Sequence, residues 1–195
     1  MNLPNKLTVL RIIMIPMVMV FILLPVEGSW NLFVGAALFL IATLTDFADG
    51  AIARKYNLVT NFGKFLDPLA DKFLVFGTFL AMIASDIQKF CDMKFWLSLA
   101  LAVMIFRELA VTSIRLVAKS SDGTVIAAAM LGKIKTAFQS VCIIYLLVSD
   151  AIIPDCYVKS HYIIDYVLLA ITVILTVVSG MQYISKYAKY IDHKA

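Results

Sequence analysis

Residues 166–180 read YVLLAITVILTVVSG and contain no charged side chain, within an apolar stretch that extends over 161–185. Five further stretches that are mainly apolar occur at 8–26, 31–52, 67–85, 94–117 and 133–150. Each approaches the length of about 20 residues that a helix needs to cross the hydrocarbon of a bilayer. Because lipid offers no hydrogen-bond partner to the backbone, and the stretches lack the two-residue alternation of barrel strands, they predict membrane-spanning helices.

The composition of the whole chain also indicates that a bilayer is its solvent. Of the 195 residues, 62% are hydrophobic and only 15% are charged, whereas about a quarter of a soluble domain is charged. This excludes a soluble enzyme, a disordered chain and a secreted disulfide scaffold. The three cysteines show no paired spacing, so neither a disulfide framework nor a zinc cluster is expected. In a membrane protein the net charge of +4 relates to topology and anionic lipid, not to nucleic acid.

Lysine and arginine residues are distributed unevenly between the two predicted sides of the membrane. Most of them, Arg11 included, fall on the side of both termini and of the loops at 52–67 and 117–133, whereas Lys89 is one of the few on the other side. The positive-inside rule then places both termini in the cytoplasm. We predict an all-α, polytopic membrane protein, a bundle of six transmembrane helices, in which residues 1–195 form one domain.

Four aspartates interrupt this apolar sequence, and charges are costly in lipid, which indicates a function. Asp46 and Asp49 share one helix face near the end of the second span, and Asp67 and Asp71 share one face at the start of the third. Pro68 suits the first turn of that third helix. Since consecutive helices joined by a short loop lie close together, the four carboxylates are predicted to converge.

Four carboxylates in a small volume cannot all stay ionised without cations. Only oxygen ligands are present, with no histidine or cysteine nearby, which favours Mg²⁺ or Mn²⁺ over zinc or copper. Two such ions held by shared carboxylates form the clamp used in phosphoryl transfer. Salt bridges to Arg54, Lys64 and Lys72 are one alternative. The ion path of a cation transporter is another, although the inverted repeat expected of a transporter is not visible.

The complete acidic pattern is Asp46-x2-Asp49-Gly50-x2-Ala53-Arg54-x8-Gly63-x3-Asp67-x3-Asp71. It resembles, without a departure, the signature of the CDP-alcohol phosphatidyltransferase family, and the chain length and number of spans agree. The resemblance implies a multi-pass protein of the bacterial cytoplasmic membrane, commonly a homodimer, with its active site at the cytoplasmic face. It also implies that two divalent ions assist transfer of a phosphatidyl group from CDP-diacylglycerol to an alcohol.

The resemblance assigns roles to single residues of this pattern. Asp46, Asp49 and Asp67 correspond to metal ligands, and Asp71 completes the metal site and acts as the general base. The residues implied to bind CDP-diacylglycerol are Asp49, Gly50, Ala53, Arg54, Thr60 and Gly63. Asn5 and Thr8 are further candidates to contact cytidine, with capping of the first helix as their alternative. Helix packing alone is the alternative for the small residues.

Other segments resemble the members of this family that use glycerol 3-phosphate as the acceptor. These segments are the amino terminus at 2–12, the pair Arg107 and Glu108 followed by Arg115, and residues 131–139. The implied products are phosphatidylglycerol phosphate and CMP, in the synthesis of phosphatidylglycerol and cardiolipin. Phosphatidylglycerol, inositol phosphate and serine stay open as alternative acceptors.

A small dianion such as glycerol 3-phosphate needs fixed cations near the metal site. The candidates to bind it are Arg107, Arg115, Lys133 and Lys135, with ordinary positive-inside anchoring as the alternative for the two lysines. Arg107 lies about halfway along the fourth span, so it is expected to face the bundle interior or a water-filled cavity, paired with Glu108. Asp165 lies near the outer end of the sixth span and is expected to reach water.

Overall fold

The computed structural model describes residues 3–26, 30–55, 61–122, 130–152 and 158–187. Within these ranges the chain folds into helices joined by short connections, and none of the described residues belongs to a β-strand. The six helices found there, α1 to α6 in chain order, are Leu3–Leu23, Trp30–Lys55, Asn61–Ala84, Gln88–Asp122, Met130–Ile152 and Val158–Tyr187. The predicted all-α class is therefore confirmed.

Four of the helices are long and apolar enough to cross a membrane. Among the described residues these segments are Asn5–Leu23 in α1, Gln88–Val117 in α4, Met130–Ser149 in α5 and Tyr162–Tyr187 in α6. In α2 the described side chains form a shorter apolar segment, Trp30–Asp46. The chain thus has several helices of membrane length, and the count of six spans with two cytoplasmic termini stays a prediction.

The helices pack as one bundle around an apolar core. α1 packs against α2 and α3, α6 packs against α4 and α5, and further contacts join α2 to α5 and α3 to α4. Phe39, Phe79, Met93, Leu97 and Ile143 are fully buried between them. Because lipid is as apolar as such a core, close packing and polar contacts between helices hold a bundle of this kind together.

Interhelical polar contacts cluster at the end of the bundle where α1, α3 and α5 begin and α2, α4 and α6 end. Ion pairs and hydrogen bonds there join α1 to α2 and α3, and join α4 to α3, α5 and α6. We call this the polar end. At the opposite end the Asn31 amide of α2 donates to the carbonyl groups of Phe21 and Leu24, which tie α1 to the start of α2.

Several helices extend beyond the predicted spans at the polar end. The loop predicted at 52–67 is helical at both of its ends, because α2 continues to Lys55 and α3 starts at Asn61, and α4 likewise occupies the start of the loop predicted at 117–133. Pro68 was predicted in the first turn of α3, but it lies inside that helix. Helices of membrane bundles tolerate such prolines. Hydropathy marks the part of a helix that suits hydrocarbon, whereas the backbone hydrogen bonds continue past it.

A buried ion pair joins three helices at the end opposite the polar end. The ammonium of Lys89, at the start of α4, lies 3.1 Å from the carboxylate of Asp165 on α6. It also donates hydrogen bonds to the Ser149 hydroxyl and the Leu146 carbonyl of α5. Both charged side chains are fully buried. The prediction that Asp165 reaches water is wrong, because Lys89 turns inward and neutralises it within the bundle.

Candidate active site

A buried arginine holds the carboxylate of Asp46 at the polar end. Arg11 of α1 is completely buried, and its Nη1 lies 2.7 Å from Oδ1 of Asp46 on α2. Its Nε donates to the carbonyl of Ala42, 3.3 Å away. Removing Asp46 would take this carboxylate from a fully buried guanidinium, and loss of one partner of a buried ion pair is destabilising. From the sequence, Arg11 was used for the topology and within the amino-terminal segment at 2–12, and was assigned no role at the site, although a charge inside an apolar helix is itself a sign of function.

Thr8 of α1 fixes a second carboxylate. Its hydroxyl donates to Oδ1 of Asp67 on α3 over 2.6 Å. Asn5, Thr8 and Arg11 are all buried, and their spacing of three residues places them on one face of α1. Because Thr8 lies inside α1, which starts at Leu3, and bonds to another helix, the capping alternative is wrong for it. Contact of Asn5 and Thr8 with cytidine stays a prediction.

Asp46 interacts electrostatically with both Asp67 and Asp71. The charge of Asp67 acts on Asp46, and the charge of Asp46 acts on Asp71. The predicted approach of the α2 and α3 carboxylates is thus supported for these three. Asp49 lies within α2, and its side chain falls outside the part of the chain that the structure describes.

The chemistry of these carboxylates fits a hard divalent cation. All of them are carboxylates, and the described contacts give Asp46 an arginine but give Asp67 a neutral threonine. Among the described side chains, however, no group of three histidine, cysteine, aspartate or glutamate residues is close enough to hold a metal ion. A complete metal site therefore depends on Asp49 or on a shift of the described carboxylates, and metal binding stays a prediction.

Four charged side chains from three helices form a second cluster near Asp71. Glu108 of α4 lies 2.7 Å from Nη1 of Arg107 and 3.6 Å from Nζ of Lys72 on α3. It also accepts a hydrogen bond from the buried ammonium of Lys135 on α5. The prediction that Arg107 faces the bundle interior beside Glu108 is confirmed. One carboxylate thus holds three cations in place.

A cavity of about 330 Å³ lies between α3, α4, α5 and the end of α6. Its charged lining residues are Asp71, Lys72, Arg107, Glu108, Arg115, Lys133 and Lys135. Five of these side chains are cationic and two are anionic, so the described lining has a net formal charge of +3. All four residues predicted to bind the acceptor, and the predicted base, therefore meet around one space. A concave site with this charge suits a small, multiply charged anion.

Arg115 and Lys133 are the exposed cations of this lining. Nη2 of Arg115 donates to the hydroxyl of Tyr183 on α6 over 2.8 Å, and the guanidinium carbon lies 5.0 Å from the centre of the Tyr183 ring. Hydrogen bonding and the cation–π interaction hold Arg115 against the cavity wall. Sequence reasoning missed Tyr183, because an aromatic residue in an apolar span gives no signal of such a role.

Two glycines lie next to Arg107, and one of them, Gly180, makes room for its side chain. A Cβ atom added at Gly180 of α6 would lie 3.0 Å from Cγ of Arg107, which is too close for the arginine stem to stay in place. One added at Gly132 of α5 would lie at an ordinary distance, 3.9 Å from Nη2. The glycine at position 180 therefore lets α6 approach the aliphatic stem of Arg107 on α4 closely.

The described residues predicted to bind CDP-diacylglycerol lie apart from the cavity. Asn5 and Thr8 are buried in α1, Gly63 is buried near the start of α3, and none of the three is among the lining residues. Asp71 connects the two regions, because it lines the cavity and also interacts with Asp46.

For the other residues predicted to bind CDP-diacylglycerol, the structure describes no side chain. The side chains of residues 47–55 are outside the described part of α2, which applies to Asp49, Gly50, Ala53 and Arg54. Thr60 lies outside the described residues altogether. Their roles stay predictions.

Comparison with known proteins agrees with this arrangement. The chain matches the family model described as CDP-alcohol phosphatidyltransferase over residues 1–178. It belongs to the CDP-alcohol phosphatidyltransferase family. The matched range includes the acidic pattern and most of the cavity lining of this CDP-alcohol phosphatidyltransferase.

Its relatives carry a narrower name. The chain is 43% identical to the CDP-diacylglycerol--glycerol-3-phosphate 3-phosphatidyltransferase of Bacillus subtilis (strain 168), over 95% of this chain and 94% of the relative. It is 34% identical to proteins of the same name from Escherichia coli (strain K12) and Shigella flexneri, over 94% of this chain and 93% of each relative. The likeness thus extends over nearly the whole length of this CDP-alcohol phosphatidyltransferase.

Proposed function

We propose that this protein transfers the phosphatidyl group of CDP-diacylglycerol to glycerol 3-phosphate, which yields phosphatidylglycerol phosphate and CMP. The observation that carries the proposal is the cavity beside Asp71, with a net formal charge of +3 in its described lining. Such a lining suits a dianionic acceptor better than serine, which has no net charge. Relatives at 34–43% identity bear the name of this activity, and family membership favours transfer over ion transport.

In this proposal the cations of the cavity bind and orient the phosphate of the acceptor. Arginine has five N–H donors and lysine has three, so Arg107 and Lys135 retain donors for phosphate while they pair with Glu108. Arg115, held by Tyr183, offers a planar fork to two phosphate oxygens. Fixing the acceptor in this way places its primary hydroxyl toward Asp71 on the α3 wall.

Asp71 takes the proton of that hydroxyl. The hydroxyl oxygen then forms a bond to the β-phosphorus of CDP-diacylglycerol, and the bond from this phosphorus to the bridging oxygen of the diphosphate breaks. CMP leaves with the electron pair of that bond. A positioned carboxylate base contributes about 10²–10⁴-fold to such a step. Direct displacement needs no covalent intermediate on the protein.

The carboxylate cluster would bind two divalent ions, Mg²⁺ or Mn²⁺, which when bound neutralise charge on the diphosphate. The residues that would hold them are Asp46, Asp49, Asp67 and Asp71. Arg11 and Thr8 support this role, because each holds one of these carboxylates in a fixed position.

We further propose that all six helices span the bacterial cytoplasmic membrane, with both termini and the polar end at the cytoplasmic face. Four helices of membrane length and the concentration of lysine and arginine at that end support this topology. At such an interface a lipid donor arrives from the bilayer and a soluble acceptor arrives from water. A homodimer, as the family resemblance implies, is part of the same proposal.

The direct test is release of CMP by the purified protein in detergent, with CDP-diacylglycerol and a panel of acceptors. We expect release that requires both a divalent cation and glycerol 3-phosphate, with phosphatidylglycerol, inositol phosphate and serine inactive. A faster reaction with one of the other acceptors would contradict the proposed acceptor while leaving the family reaction intact.

A second expectation concerns the cavity cations. Arg115→Ala and Lys135→Ala should each raise KM for glycerol 3-phosphate by about 10-fold or more, because a hydrogen bond to a charged group contributes about 1.5–3 kcal/mol. KM for CDP-diacylglycerol should change by less than about twofold, since that substrate binds elsewhere. Steady-state kinetics with each substrate varied in turn measures both constants.

Lys186→Ala is the matched control. Lys186 is exposed in the last turn of α6, at the same end of the bundle, but it does not line the cavity. If the KM for the lipid rises and that for glycerol 3-phosphate does not, the cations belong to the donor site and the assignment is reversed.

A further inference from the structure

Two residues that line the cavity each carry a buried side-chain N–H donor with no hydrogen-bond partner among the described residues. The donors are Nε of Arg107 and the amide Nε2 of Gln139. Gln139 is only 3% exposed, yet it belongs to the cavity lining. More than about 90% of buried polar groups in proteins are paired, so each exception requires an explanation. Because both residues line the cavity, a ligand that binds there and supplies oxygen atoms would explain the two unpaired donors.

The two donors differ in their surroundings. Arg107 belongs to the cluster around Glu108, where Lys72 and Lys135 add further positive charge, so its Nε suits a phosphate oxygen. Gln139 lies one turn beyond Lys135 on the same face of α5, about 6 Å further along the helix axis from the polar end. It therefore lines the part of the cavity adjoining the cations.

The amide of Gln139 is chemically suited to a hydroxyl group. It is neutral, so it adds nothing to the neutralisation of a dianion, but it carries both N–H donors and a carbonyl acceptor. A hydroxyl group likewise donates and accepts. In glycerol 3-phosphate the phosphate is matched by the cations and the primary hydroxyl by Asp71, which leaves the hydroxyl of the middle carbon without a partner.

We infer that Gln139 is a specificity-determining residue, whose amide Nε2 donates a hydrogen bond to the middle hydroxyl of the acceptor. The inference rests on the proposed function and adds to it the part of the substrate that this residue recognises. A site built around such a hydrogen bond rejects an analogue that lacks the hydroxyl, because its own buried donor is then left unpaired.

The test compares glycerol 3-phosphate with 3-hydroxypropyl phosphate, which keeps the phosphate and the primary hydroxyl but lacks the middle one. In the wild-type protein we expect kcat/KM to be about 5–100-fold lower for the analogue. In Gln139→Met, which keeps an unbranched side chain of similar length, the two acceptors should react within about twofold of each other. Gln182→Met is the matched control, because Gln182 is exposed on α6 outside the cavity lining, and it should discriminate as the wild type does.

Two results would overturn the inference. One is a Gln139→Met protein that loses activity toward both acceptors by the same factor, so that discrimination is unchanged. The other needs no variant: a wild-type protein that uses both acceptors equally well does not recognise the middle hydroxyl. In either case CMP release with glycerol 3-phosphate persists in the wild type, whereas the proposed function fails only if that release is missing.

Discussion

Asp71→Asn is expected to lower kcat by about 10²–10⁴-fold while the protein still binds CDP-diacylglycerol and divalent metal. Asparagine keeps an oxygen that can contact a metal ion, but it cannot accept a proton at neutral pH. Asp71 is the described residue that both lines the cavity and interacts with Asp46, so its loss should affect the chemical step more than either binding step. Single-turnover kinetics and separate binding titrations distinguish these effects.

Asp86→Asn provides the matched control for this experiment. Asp86 is exposed in the connection between α3 and α4, at the end of the bundle away from the cavity. Two outcomes would count against the assignment of Asp71 as the base. Complete loss of donor and metal binding would make it chiefly a ligand, and retention of more than about a tenth of wild-type kcat would show that the proton goes elsewhere.

Asparagine at any of the three other aspartates, Asp46, Asp49 or Asp67, is expected to weaken metal binding and activity together. Each substitution removes an anionic oxygen ligand, and Mg²⁺ and Mn²⁺ depend on such ligands. Even changes outside the immediate ligand set cost 10–100-fold in metal affinity, so an effect of about 10–100-fold or more is expected here. Calorimetric titration with Mn²⁺, without substrate, measures the affinity, and the Mg²⁺ dependence of CMP release measures the activity.

The structure also predicts a difference between these variants. Asp46→Asn leaves the buried guanidinium of Arg11 without its carboxylate, whereas Asp67→Asn takes only a hydrogen-bond acceptor from Thr8. Asp46→Asn should therefore lower the melting temperature more than Asp67→Asn does. Unchanged Mn²⁺ affinity together with full activity at ordinary Mg²⁺ concentration would remove the substituted residue from the metal site.

The sequence predicted which charged residues meet at the polar end because local geometry constrains them. Asp67 and Asp71 share a face of one helix whatever its surroundings, and a short connection brings the end of α2 next to the start of α3. By the same argument, the cations of α4 and α5 were predicted to lie at one end of the bundle. Family resemblance then supplied the reaction, and the comparisons support that choice.

The individual side-chain pairs between helices could not be predicted in this way. Examples are Arg11 with Asp46 and Arg115 with Tyr183. Such pairs depend on how each helix is rotated about its axis, and a helix that is apolar on all sides gives little indication of which face turns inward. The unpaired amide of Gln139 is visible only once α3, α4 and α5 enclose the cavity.

The ion pair between Lys89 and Asp165 has a consequence for how the protein is made. The ribosome produces α4 well before α6, so in the proposed topology Lys89 enters the bilayer without its carboxylate for a time on the order of 10 s. During this interval the long lysine side chain, at the very start of α4, reaches the lipid headgroups. Once α6 is inserted, we expect the ammonium to move from the headgroups to the buried position that it occupies beside Asp165 in the folded bundle. In the proposed topology, insertion of α6 therefore converts a charge at the membrane surface into a buried ion pair that attaches α6 to α4.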